Sequence, residues 1–221
     1  MCRFLLARFS ESTEPSALLH AFADMSEKSK ALDGDWQGDG WGVAWLDSNN
    51  QWKRQTSLAP VWQERQTFEV VPRTRVMVAH ARAASFAHHK GVIEFNQPYL
   101  FGEYAFVFNG LLKGVSLPGI PGRIGAEKIC HLVQQEVVQH SPQIALERVR
   151  DLLRHNAKEI VALNLGLATV NGIYSLSHFS QHPEYYSLHS WNDEDTHIIC
   201  SEPLQLAQQV TFVPIGVLQP A

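Results

Sequence analysis

The sequence predicts an α+β fold built in layers, on three observations. Short apolar runs of strand character fill the two ends of the chain, and two amphipathic helical segments lie together in its middle. No regular alternation of strand and helix, the pattern of a doubly wound parallel sheet, runs through it. Residues 2–7 form a short apolar strand whose first residue is Cys2. Residues 15–28 follow as a helix, because Leu18, Leu19, Phe22 and Met25 recur at helical spacing and Pro15 suits a first turn. Residues 41–46 and 51–57 read as a hairpin around the turn-rich Asp47-Ser48-Asn49-Asn50. Residues 75–81 and 104–108 are further apolar strands, and the second is apolar on both faces, as in a sheet covered on both sides.

Two helices come next. Ile129, Leu132, Val133 and Val137 mark one face of residues 126–139, and Ala145, Val149, Leu152 and Leu153 mark one face of residues 142–155. Strands return over residues 160–170, 173–179, 185–190, 197–200 and 211–213. No repeat or low-complexity linker divides the chain, so residues 1–221 read as a single domain.

Composition narrows the function. A net charge of −4 without a basic stripe argues against nucleic acid as a partner. No apolar run approaches the ~20 residues that span a bilayer. The apolar stretch between Arg3 and Arg8 is too short for a signal peptide. Cys2, Cys130 and Cys200 are odd in number and lack paired spacing, which speaks against a disulfide framework and a zinc site. Cys130 and Cys200 read as core residues, and a reducing, cytoplasmic setting fits the set. No cofactor or metal is implied; His88-His89 lacks a completing ligand and reads as solvated loop.

The chemistry centres on Cys2. Cysteine is small enough for aminopeptidases to remove the Met1 before it. The new terminus then carries a thiol and an α-amine on one residue, and the amine, with a reference pKa of ~7.7–8.0, is a general base beside its own nucleophile. Three other segments matter. Gly38-Asp39-Gly40-Trp41-Gly42 enters a strand and is either a tight turn or a place of close backbone approach. His80-Ala81-Arg82 ends a strand, where an arginine either grips a carboxylate bidentately or sits at a sheet edge. Phe108-Asn109-Gly110 ends another; Asn-Gly is first a turn signal, yet the Asn109 amide and the Gly110 N–H can also form an oxyanion hole. Trp36, Trp41 and Trp45 are either pocket walls or packing residues.

Taken in order, Met1-Cys2-Arg3, Gly38-Asp39-Gly40-Trp41-Gly42, His80-Ala81-Arg82, Asn96-Gln97-Pro98-Tyr99, Asn109-Gly110 and Ser201-Glu202-Pro203-Leu204 resemble the class II glutamine amidotransferases. The likeness is greatest to their free-standing branch, which includes γ-glutamyl hydrolases of thiol metabolism, and runs from residue 2 to about residue 218. It implies a four-layer αββα sandwich of the N-terminal nucleophile hydrolase type. It also implies Cys2 as nucleophile, Asn109 and Gly110 as the oxyanion hole, and Arg82 as the grip on a substrate carboxylate, with His80, Gly40 and Trp41 in the same substrate-binding region.

Two positions depart from the family pattern. Phe108 stands where a His usually precedes Asn-Gly, and Gly125 falls where an Asp binds the α-ammonium of glutamine. Free glutamine is therefore expected to be recognised poorly, and substrates whose α-amine is absent, acylated or methylated are favoured. Three functions stay open: an amidohydrolase of γ-glutamyl or related amides, a glutaminase subunit feeding ammonia to a separate synthase, and a non-catalytic binding module. The partner expected is a small-molecule amide, glutamine or a γ-glutamyl compound, with a separate synthase or a second copy of the chain as further candidates.

Overall fold

The computed structural model describes residues 1–29, 36–207 and 209–218. Its first half contains β1 (Arg3–Thr13), α1 (Ser16–Lys28), β2 (Trp41–Leu46), β3 (Trp52–Ser57), β4 (Thr74–Ala81), β5 (Tyr99–Phe101) and β6 (Tyr104–Lys113). The helices α2 (Gly125–Glu136) and α3 (Pro142–Asn156) follow. The chain continues through β7 (Glu159–Ala168), β8 (Ile173–Phe179), α4 (Pro183–Tyr186), β9 (Leu188–Asn192), β10 (Thr196–Cys200), β11 (Val213–Ile215) and β12 (Val217–Leu218).

The strands form two sheets. One has seven strands in the order β11-β9-β10-β1-β4-β2-β3, and the other has five in the order β12-β8-β7-β6-β5. Neighbours pair antiparallel except β12 with β8. Alternation along the strands divides the apolar residues into three main cores. Leu5, Ala7, Val43, Met77 and Ala79 of the seven-stranded sheet meet Leu19 and Phe22 of α1. Phe4, Leu6, Val76 and Val78 turn the other way and meet Ala105 and Val107 of β6. Phe106, Leu163 and Leu165 of the five-stranded sheet meet Val133 of α2 and Val149 of α3. The two-faced apolarity of β6 has its cause here, since Val107 and Phe106 enter different cores.

The early hairpin forms as predicted, with Leu46 opposite Trp52 and Asp47 Oδ1 accepting from the N–H groups of Asn49 and Gln51. Other boundaries differ. Pro15 lies just before α1, which begins at Ser16. Residues 185–186 belong to α4, so the strand predicted at 185–190 begins at Leu188, and the last predicted strand lies at Val213–Ile215 instead of 211–213. The three-residue β5 carried no periodic signal to find.

The largest change concerns β6, which runs past Asn109-Gly110 to Lys113. Asn109 pairs with Asn164 and Gly110 with Leu163 in β7. A ladder of nine residue pairs with the neighbouring strand overrides the local turn preference of Asn-Gly. Glycine is required at 110 for a different reason: a Cβ there would come within 2.5 Å of the Ala162 carbonyl.

Candidate active site

The register of the seven-stranded sheet explains where Cys2 lies. Arg3, the first residue of β1, pairs with Ala81, the last of β4, so the residues just outside each strand meet. Cys2 Sγ lies 3.4 Å from the Ala83 nitrogen, which donates to it, and 3.5 Å from the Ala83 carbonyl oxygen. Burial pushes the thiol pKa up; the terminal amine, the Ala83 N–H and the guanidiniums of Arg82 and Arg3 pull the other way. Beneath it, fully buried Arg3 donates to the Cys2 carbonyl at 3.4 Å, pairs with Glu202 at 2.6 Å and lies over the Tyr185 ring.

Cys2, Arg82, Asn109 and Gly110 line one cavity of about 260 Å3. Gln97, His89 and Gly125 line it too. The volume lies just below the ~300–1,000 Å3 usual for small-molecule sites. Arg82 is 4% exposed, and its guanidinium is held by the carbonyls of His89 at 2.7 Å and Val92 at 3.5 Å, and by Asn96 Oδ1 at 3.3 Å. Among the described residues no carboxylate pairs with it. A buried guanidinium held only by neutral oxygens keeps its charge available to an anionic ligand.

Asn109 is buried, and its Oδ1 has no hydrogen-bond partner. The backbone just before it is fixed by Gln97, whose Oε1 accepts from the Phe108 nitrogen at 2.6 Å and whose Nε2 donates to the Phe108 oxygen at 3.2 Å. Gln97 therefore positions the segment that carries Asn109. The sequence marked it only as part of a motif, without a role.

Gly40, Trp41 and His80 do not line the cavity. Gly40, at φ +116°, leaves room for Asn96: a Cβ there would come within 2.3 Å of Asn96 Nδ2. Asn96 in turn donates to the Ser57 carbonyl at 2.7 Å and accepts from Arg82. Gly40 thus acts on the site through packing, and its carbonyl accepts from the Arg82 N–H at 2.8 Å. Trp41 is fully buried, donates to Glu64 Oε2 at 2.7 Å and meets Phe68 edge-on. His80 is fully buried in β4, where desolvation, with the Arg82 charge, pushes its pKa down to about 3 and keeps the ring neutral.

Asp39 braces the same region: its carboxylate accepts from the Ala84 N–H at 2.9 Å and lies 3.2 Å from Lys90 Nζ. His89, read from sequence as solvated, is half-buried against the Phe95 ring. Trp36 stacks on Trp62 and Trp45 packs on the α1-side core, so neither is a cavity wall. Cys130 and Cys200 are buried, as the sequence indicates. Among the described residues no group of His, Cys, Asp or Glu is arranged to hold a metal ion, and no helix is long and apolar enough to cross a membrane.

Met1 occupies the remaining side of the cavity. Its carbonyl accepts from Gln37 Nε2 at 3.0 Å, and its side chain packs on the small core of Val161, Ala162, Phe179 and Tyr186. Gln37 is fully buried, and its Oε1 has no partner.

Comparison with solved structures identifies the fold. A glutamine aminotransferase class-II domain protein from Silicibacter pomeroyi matches with a TM-score of 0.59 at 16% identity, over 96% of this chain and 99% of its own. The glutamine phosphoribosylpyrophosphate amidotransferase of B. subtilis gives 0.64 at 14% identity, over 91% of this chain and 42% of its own. An allosteric regulatory enzyme of purine biosynthesis gives 0.63 at 14% identity, and the chain spans 42% of its length too. No family model and no curated protein sequence matches the chain.

Proposed function

We propose, from the class II glutamine amidotransferase-like fold of the chain, that it is an amidohydrolase cleaving a glutamine-type amide through a thioester on Cys2. The helix–sheet–sheet–helix order of its cores supports reading the whole chain as one four-layer αββα sandwich of the N-terminal nucleophile hydrolase type. The observation that carries the functional reading is the meeting of Cys2, Arg82, Asn109 and Gly110 around a single cavity. These residues come from three separate parts of the chain, and each has a distinct part in acyl transfer.

In this mechanism Met1 is first removed, which frees the α-amine of Cys2 beside the Gln37 amide. The amine takes the thiol proton, which matters because burial raises the thiol pKa. The thiolate attacks the amide carbon while Arg82 holds the substrate carboxylate. Asn109 and the Gly110 N–H stabilise the oxyanion, where each donor contributes roughly 3 kcal/mol. The Cys2 ammonium protonates the departing nitrogen as the C–N bond breaks. Water then adds to the thioester, releasing the acid and restoring the thiol.

The decisive test pairs intact mass with an ammonia assay. A chain beginning at Cys2 that releases ammonia from a primary amide, and loses this in Cys2→Ala, supports the reading. Equal release by Cys2→Ala refutes it. A second reading, a glutaminase subunit working with a separate synthase, is favoured by the apolar cavity rim: Phe86, Leu111 and Val115 line the cavity yet remain 59%, 39% and 39% exposed. Under that reading ammonia release rises when the ammonia-consuming enzyme is added, and the rise is lost in Phe86→Glu.

A further inference from the structure

The geometry points to a substrate class: an N-acylated γ-amide, carrying a carboxylate and an uncharged apolar acyl group in place of a free α-ammonium. This inference rests on the amidohydrolase reading of the same cavity and specifies what enters it.

The charge inventory comes first. Arg82 and Lys128 line the cavity, and among the described residues no aspartate or glutamate does. Two acids on neighbouring segments are engaged, Glu127 with Arg123 at 2.8 Å and Asp39 with Lys90 and the Ala84 N–H. The first turn of α2 presents Gly125 and Ala126 to the cavity, and its N-cap residue Ile124 supplies no side-chain cap. A ligand ammonium would meet like charge and, among the described residues, find no carboxylate partner on the lining.

The apolar inventory comes second. Beyond the reacting residues the lining includes the apolar side chains of Leu112, Val115, Leu117, Ile124, Ile129 and Leu153, drawn from the end of β6, the segment between it and α2, α2 and α3. Beside them, a Cβ built on Gly125 meets nothing within 4 Å, so the space at that position is open. With the amide carbon at Cys2 and the carboxylate at Arg82, the remaining substituent of the α-carbon extends toward this wall. An amide lacking any substituent leaves the wall uncovered, and a methylated amine retains its charge. An acyl group removes the charge, covers the wall, and offers a carbonyl to the uncapped N–H groups of α2.

The test is protection of the Cys2 thiol from iodoacetamide, read by intact mass, with N-butyryl-L-glutamine, glutaramate and L-glutamine as competitors. N-Butyryl-L-glutamine is expected to protect at a concentration at least tenfold lower than L-glutamine, with glutaramate between them. Gly125→Asp should reverse the preference by a similar factor, whereas Gly125→Ala, which adds no charge, should retain it. Equal or better protection by L-glutamine, or none by N-butyryl-L-glutamine, overturns the inference. Cys2-dependent ammonia release separates the two claims. L-Glutamine that protects and is hydrolysed leaves the amidohydrolase standing and removes only the acyl preference. Acyl-selective protection without turnover of any amide retains the ligand class and removes the hydrolase.

Discussion

The cavity has two walls of opposite character. On one, Cys2 and Arg82 stand just beyond strand ends, Asn109 lies inside β6, and all three are held by polar contacts: Ala83 on the thiol, three oxygens on the guanidinium, and Gln97 on the backbone before Asn109. On the other, Leu112, Leu117 and Ile129 come from the end of β6, the segment after it and α2, and their side chains are wholly apolar. The difference separates two tasks. Under the proposed function the polar wall must hold the reacting groups to fractions of an ångström, whereas the apolar wall sets the shape and polarity that choose the substrate.

Substitutions on the two walls should therefore fail in different ways. The largest effect is expected from Cys2→Ala, which should reduce ammonia release to that of buffer while leaving the melting temperature near wild type; retained turnover would move the nucleophile elsewhere. Asn109→Ala should lower kcat by about 10²–10³, as measured for loss of one oxyanion donor, and steady-state kinetics would show it. For Arg82→Gln the expected change is a rise in KM of about 10–100-fold, matching loss of a charge-assisted bond of ~1.5–3 kcal/mol. An unchanged KM would place the substrate carboxylate elsewhere.

The apolar wall should respond mainly in stability and selectivity. Leu117→Ala should cost about 2 kcal/mol in denaturant melts, the low end for a core leucine because Leu117 faces a cavity. It should also weaken acylated amides more than unacylated ones. The smallest effect, taken per pH unit, is a pH slope. His80 is neutral in the fold, with a pKa of about 3 against 6.5 when unfolded. The unfolded chain therefore binds the extra proton between these values, and stability falls as pH drops from about 6.5 toward 3, by up to about 1.4 kcal/mol per unit. Urea midpoints for His80→Gln should lack this part of the slope if the variant folds.

Much of the polar wall was legible before the fold was known, because each of its residues sits in a local signal: a cysteine after the initiator, an arginine at a strand exit, an Asn-Gly pair. The signals picked out residues that meet at one cavity but not the conformation that brings them there. Asn109-Gly110 looks like a turn in isolation and lies inside β6, because pairing with β7 is a tertiary fact that no local window contains. Gly40, Trp41 and His80 belong to the right motifs but serve as support for Asn96 and Arg82 or as core. The apolar wall was not legible at all. Leu112, Leu117 and Ile129 look like any core residues, and only the packing of α2 and the post-β6 loop around Cys2 makes them a surface that a ligand can meet.

Covalent catalysis by Cys2 is the central claim, and hydroxylamine trapping tests it most directly. With the chain beginning at Cys2, an amide substrate and added hydroxylamine, the account predicts a hydroxamate that forms at the expense of the free acid and disappears in Cys2→Ala. Continued hydrolysis to the acid with no hydroxamate at saturating hydroxylamine would contradict a thioester intermediate.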